Sequence, residues 1–208
     1  MAAITLMGPL PFPPEDASGP RAGARPPGLE RQPLLLNVPA IRQAALTSCG
    51  EAAIAMAYNF LHPESLLAER DIIETAAANG YFTERRYPFT SPENMANIAR
   101  QYSTGVSSGI VHDPDTALAL LKSQLRRGYP VIIDVLVRRY EPGSGAHFIV
   151  VTGLSIERKR GNAVVVHFNE PLTGTEETAR WAGPEGVWNA WQKNGDPGGS
   201  GWWLVLSD

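Results

Sequence analysis

Two regimes of hydrophobic spacing divide the chain. Between Cys49 and Leu61 the apolar residues Ala52, Ala53, Met56, Ala57 and Phe60 recur at helical spacing, which predicts a helix. No charge follows Glu51 within it, so this helix is expected to be buried on most sides and central, ending at His62-Pro63. Glu64 to Ala78 predicts a second helix, closed by Asn79-Gly80. Ser91-Pro92-Glu93-Asn94 is a capped start for a third, running to about Tyr102. Asp113-Pro114-Asp115 opens a fourth, which runs to Arg127 and stops at Gly128. The period then changes. Val131 to Val137, Phe148 to Thr152, Ala163 to Phe168 and Trp202 to Leu206 are β-branched or aromatic runs that predict strands. Leu34 to Pro39 predicts another short strand ahead of the helices, and Val187 to Trp191 a short amphipathic stretch.

Helices first and strands second predict an α+β domain, a helical half facing an antiparallel sheet half, over residues 34–208. Residues 1–33 hold eight prolines and four glycines. Such a segment buries too little side chain to offset its ordering entropy, so an extended or disordered tail is expected.

Composition narrows the classes. The chain has 208 residues with 43% hydrophobic and 19% charged, enough to build a core without staples. A net charge of −3 and scattered arginine pairs (Arg85-Arg86, Arg126-Arg127, Arg138-Arg139) argue against a nucleic-acid partner. No stretch approaches the ~18 apolar residues of a membrane span, and Pro9 to Pro14 interrupt any signal-like run. One cysteine allows no internal disulfide. A cytoplasmic protein without a membrane contact is the expectation.

That cysteine is the first candidate for chemistry. Cys49 lies in Thr47-Ser48-Cys49-Gly50-Glu51, where the central helix begins. Unpaired amides there favour an anion, and so a thiolate. Ser48 or Thr47 is placed to cap the helix, and Gly50 to let a substrate backbone approach. Gln43, in the preceding loop, is a candidate donor to an oxyanion. His147 enters a strand from the Gly143-Ser144-Gly145 loop, which suggests a rim position with room for substrate. Asn169-Glu170-Pro171 ends the next strand, so one of these side chains is placed to hold the imidazole Nδ1–H. Regular pleating sends Asn169 and Glu170 to opposite faces; only one of them reaches it. A zinc site from Cys49, His147 and His167 lacks any close ligand pair, and none is expected.

The ordered set Leu36-Asn37-Val38-Pro39, Gln43, Cys49-Gly50, Gly128-Tyr129-Pro130-Val131, His147 and Glu170-Pro171 resembles the papain-like cysteine peptidases. It is most similar to the bacterial branch of bacteriocin-processing, double-glycine-leader peptidases and their stand-alone relatives. In that branch the residue before the nucleophile is often acidic, where Ser48 stands here, and the usual Asp-Pro is replaced by Glu170-Pro171. The resemblance implies a papain-like fold and thiol-dependent hydrolysis of a peptide or protein substrate, with no cofactor. It assigns Cys49 as nucleophile, His147 as acid–base, Gln43 to the oxyanion hole, and Glu170 or Asn169 as the residue orienting His147. Acyl transfer through the same thioester, or an inactive papain-like binding module, are the alternatives. Specificity is expected from the loops Tyr81 to Thr90 and Arg138 to Gly145.

Overall fold

The structure is a computed structural model that describes residues 33–82, 89–136, 145–158 and 161–207. Its frame is one antiparallel sheet. In chain order the strands are β1 (Leu34–Leu35), β2 (Gly105–Ile110), β3 (Val131–Leu136), β4 (Ala146–Glu157), β5 (Ala163–Glu170), β6 (Thr175–Arg180) and β7 (Trp202–Ser207). Their spatial order is β2-β7-β3-β4-β5-β6, with β1 paired to β4. The last strand of the chain therefore sits inside the sheet, between β2 and β3.

Side-chain alternation on the inner strands sorts the core into two layers. Ile132, Phe148, Val150 and Leu204 point to the face covered by α1 (Cys49–Leu61), α2 (Glu69–Ala78) and α3 (Pro92–Ala99). Val131, Ile133, Val135, Ile149 and Val205 point to the face covered by α4 (Pro114–Arg126) and α5 (Val187–Gln192). Strands covered on both faces read as continuous apolar runs rather than alternating ones, which is why these were visible in the sequence. The helical half is thus completed by two later helices on the far side. On α1 every residue from Ala52 to Ala57 is buried. The small side chains let the helix lie close to the sheet, where Phe148 meets Trp202 edge-on with centroids 5.5 Å apart.

Several boundaries differ from expectation for identifiable reasons. The first strand is only Leu34–Leu35; the chain then leaves the sheet to build the loop before α1. The second helix begins at Glu69 rather than Glu64. The Asn59 side chain bonds both the N–H and the carbonyl of Leu67 at 2.7 and 3.1 Å, which holds the connection as a turn. Ser91 and Asp113 cap α3 and α4 by accepting from Asn94 and Thr116. Strands β2 and β6 escaped the sequence reading. Gly-Val-Ser-Ser-Gly-Ile and Thr-Glu-Glu-Thr-Ala-Arg are largely exposed sheet edges, whose pairing comes from the neighbouring strand and not from an apolar pattern. The Pro-rich segment up to residue 32, residues 83–88 and residues 137–144 lie outside the described residues, and with them most of both expected specificity loops.

Candidate active site

Cys49 is the first residue of α1 and half-buried. Ser48 occupies the cap position, yet its side chain does not cap the helix. It turns back to Ala45 instead, donating to the carbonyl and accepting from the N–H at 3.0 Å. The expected Ser or Thr cap is thus not made by Ser48, and the positive end of α1 lies at the thiol. Gly50 lies tight against the core. A Cβ there would lie 2.4 Å from Met95 Sδ and 3.2 Å from Phe148 Cδ2, so the glycine serves the packing of α1 on the core.

His147 is the second residue of β4 and only 3% exposed; the expected open rim is a buried position. Gly145 ahead of it is filled by neighbours too, since a Cβ would meet Leu136 Cδ1 at 2.6 Å and the Asn194 carbonyl at 2.9 Å. Strands β4 and β5 are antiparallel neighbours, and Nε2 of His147 lies 2.5 Å from Glu170 Oε1. The same oxygen accepts the Leu172 N–H at 2.9 Å, which fixes the carboxylate in its turn. The Cys49 side chain acts on the imidazole as well, and its interaction with the ring raises the His147 pKa. With Nε2 on Glu170, Nδ1 is the nitrogen left for the sulfur, the reverse of the expected assignment. Burial opposes a charge on the ring, but the hydrogen bonds and negative charges of Cys49 and Glu170 outweigh it and raise the His147 pKa to about 10.

Asn169 leaves the strand on the opposite face. Its Nδ2 donates to the Val38 carbonyl at 2.9 Å, and the side chain is buried. That bond is one of three ties between the end of β5, with the turn after it, and the loop before α1. The Gln43 N–H donates to the Pro171 carbonyl at 2.7 Å. Gly174, at φ 69°, lies so close to Arg42 that a Cβ would be 2.9 Å from its Cα. A fourth contact comes from α2: both carboxylate oxygens of Glu69 accept the Ala44 N–H at 3.0 Å. These ties set where Gln43 sits. Its Nε2 donates to the carbonyls of Ala45 and Leu46 at 2.7 and 2.9 Å, while buried Oε1 meets no donor among the described residues. Both N–H bonds are thus committed to the loop. Donation to an oxyanion requires one of them to be released.

Two further acids surround the site that the sequence reading did not single out. Glu51, in the first turn of α1, is fully buried and accepts from Thr90 Oγ1; burial raises its pKa despite that bond. Asp134 on β3 accepts the His147 main-chain N–H at 3.2 Å. A lone acid inside the apolar run Val131 to Leu136 was the one available signal for it. His167 lies apart, between Ser155 Oγ at 2.8 Å and Glu176 Oε1 at 3.4 Å. Among the described residues no group of three or more His, Cys, Asp or Glu side chains is placed to hold a metal ion, and no helix is long and apolar enough to cross a membrane.

A helix-borne cysteine facing a histidine on an antiparallel sheet defines the papain-like class of cysteine peptidases. The model of the Peptidase_C39 like family matches residues 35–196, and the chain belongs to that family. Comparison with curated proteins gives no match.

Proposed function

We propose that the protein is a cysteine peptidase that hydrolyses a peptide or amide bond through a thioester on Cys49. The observation that carries this reading is His147 held at 2.5 Å by Glu170 and raised in pKa by Cys49, the first residue of α1. A raised imidazole pKa means that the ring holds a proton at neutral pH, which suits a thiolate–imidazolium pair. The Cys49 sulfur attacks the scissile carbonyl carbon, and the carbonyl π electrons move to oxygen. The oxyanion meets main-chain N–H groups at the start of α1, with Gln43 Nε2 joining once it gives up a loop carbonyl. Collapse of the tetrahedral intermediate breaks the C–N bond, and His147 protonates the departing amine. The now neutral ring takes a proton from water, whose oxygen attacks the thioester; the acid leaves and the ion pair is restored. Glu170 holds the ring by Nε2 throughout. No step calls for a cofactor, and the partner is a peptide or protein chain. A single free cysteine fits a reducing, cytoplasmic setting.

The test is a mixed peptide library read by mass spectrometry with the native chain, Cys49→Ala and His147→Ala. Cleavage by the native chain alone is the expected result. Products that incorporate an added amine in place of water would make the protein an acyltransferase. Absence of turnover, together with a Cys49 that iodoacetamide labels no faster in the native chain than in His147→Ala, would leave a binding module.

A further inference from the structure

A second pairing of nucleophile and base lies on the sheet, away from Cys49 and on the face opposite to Glu170. The register of β4, β5 and β6 creates it. Ser155 pairs with Val165, His167 with Gly153 and Thr178, and Glu176 with Asn169. Ser155 and Glu176 are therefore diagonal neighbours of His167, one on each side along β5, and all three share a face. Such diagonal positions are within reach of a ring-bearing side chain. The imidazole bridges them: Ser155 Oγ lies 2.8 Å from Nε2, and Glu176 Oε1 lies 3.4 Å from Nδ1. The His167 side chain is only 16% exposed and that of Glu176 62%, so the base is sheltered and its acid stands at the surface. A carboxylate offers only acceptors. Its hydrogen bond puts the ring proton on Nδ1 and leaves the Nε2 lone pair for the Ser155 hydroxyl.

A receiving surface goes with the three residues. Ser155, Glu157, Val165, His167, Thr178 and Arg180 line an open groove of about 470 Å³. Val165 stands in register between Ser155 and Arg180, an apolar floor beside the hydroxyl. Arg180 from β6 and Glu157 from β4 meet across β5, Nη2 to Oε2 at 3.9 Å, which brings the guanidinium over that floor. We propose that Ser155, His167 and Glu176 form a second hydrolytic site, which cleaves small carboxylic esters whose acyl group rests on Val165 with its carbonyl oxygen towards Arg180. His167 Nε2 takes the hydroxyl proton as Ser155 Oγ attacks the ester carbonyl carbon, and the carbonyl π electrons move to oxygen beside the guanidinium. The C–O bond to the alcohol breaks, His167 hands its proton to that alcohol, and an acyl ester remains on Ser155. Water then gives a proton to Nε2 and attacks the acyl carbon. The bond to Oγ breaks, Oγ recovers the proton, and the carboxylic acid leaves.

The experiment uses the full chain carrying Cys49→Ala, so that ester cleavage by the thiol does not enter, with p-nitrophenyl acetate as the probe. Nitrophenol release above the buffer rate is expected, with an acetyl group mapped to Ser155 by mass spectrometry after acid quenching. Adding Ser155→Ala is expected to abolish that adduct, and adding His167→Gln to slow release by about 10²-fold, the lower end of general-base catalysis. Arg180→Gln is expected to slow it by about 10²-fold as well, the scale of one lost oxyanion donor. Glu176 is a positioning residue. Glu176→Ala is expected to slow release about tenfold, the scale of one hydrogen bond to a charged group, and to shift the neutral ring from the Nδ1–H towards the Nε2–H tautomer, read by nitrogen NMR. A merely structural carboxylate would leave the tautomer alone. Acetyl groups on His167 or on lysines instead of Ser155, or release that S155A leaves unchanged, would overturn the proposal. So would a Cys49→Ala chain that releases no more nitrophenol than buffer does. The adduct map needs no change at Ser155, so it decides the matter even where S155A fails to fold. The sulfur is absent from every chain compared, and the outcome is therefore independent of the peptidase reading.

Discussion

Glu170 and Asn169 are adjacent in the chain and act on opposite faces of the sheet. Glu170 Oε1 lies 2.5 Å from His147 Nε2, whereas Asn169 Nδ2 reaches the Val38 carbonyl at 2.9 Å. Pleating alone produces the divergence, and it separates two roles by experiment. Glu170→Gln is expected to bring the His147 pKa down towards 6.5 and to lower turnover by about 10²–10⁴-fold, the range of acid–base catalysis. Asn169→Ala is expected to leave the ring titration unchanged and to cost about 1–3 kcal/mol of stability, because a buried carbonyl loses its donor. Ring NMR titration and chemical denaturation check the pair. A shifted His147 pKa in Asn169→Ala would move the orienting role to that residue.

The same imidazole makes stability depend on pH. Its folded pKa of about 10 stands above the ordinary value of 6.5, so the folded chain binds the proton more tightly than the unfolded one. This contribution is fully present below pH 6.5 and is lost as pH rises to about 10. In His147→Gln the decline across that window is expected to shrink, as measured by urea midpoints at fixed pH.

Glu69 ties the loop that carries Gln43 to α2. Glu69→Ala is expected to lose about 1.5–3 kcal/mol, the worth of a hydrogen bond to a charged acceptor, and to raise exchange of the Ala44 amide. Glu69→Gln keeps one acceptor oxygen and is expected to recover part of the loss. If hydrogen exchange at Ala44 were the same in all three chains, the loop would be held by its other ties alone.

Gln43→Ala removes two bonds to loop carbonyls, so it is expected to lower stability by about 1–2 kcal/mol as well as to slow turnover by about 10²–10³-fold. Melting curves and kcat on the same preparation separate the two effects. A stable variant with full activity would remove Gln43 from both roles.

Gly50→Ala sets two magnitudes against each other. Alanine gains about 0.8–1 kcal/mol of helix propensity over glycine, while forcing a methyl into a filled core costs about 1–3 kcal/mol. The contact at 2.4 Å to Met95 Sδ tips the balance to destabilisation. Met95→Ala in the same chain is expected to restore part of the loss, which a double-mutant cycle by denaturation measures.

The architecture was legible wherever side chains had to face a core. The helix from Cys49 and the strands around Ile132, Ile149 and Val166 carry their burial in their composition. Edge strands were not legible, because Ser107 and Glu176 meet solvent and their pairing is dictated by β7 and β5. At the site, Cys49, His147 and Glu170 stood out by residue type and by position at element ends. The surroundings did not. That Ser48 turns to Ala45, that Gln43 spends its N–H groups on its own loop, and that Asp134 accepts the His147 main-chain N–H are consequences of tertiary placement. Which nitrogen of His147 meets the acid is likewise set by the approach of β5, and no spacing in the chain encodes it.

The tie from Asn169 to Val38 joins positions 131 residues apart, and its neighbour from Gln43 to Pro171 spans a comparable separation. A chain emerging from the ribosome carries its thiol long before it carries the turn after β5. Until that turn arrives, the loop before α1 lacks two of the bonds that shape it, and His147 lacks its acid. The completed sheet is therefore the condition for the constellation around the sulfur, and a chain that ends before β5 holds a cysteine without the Glu170-held histidine. Ordering the reactive centre and closing the domain are one event.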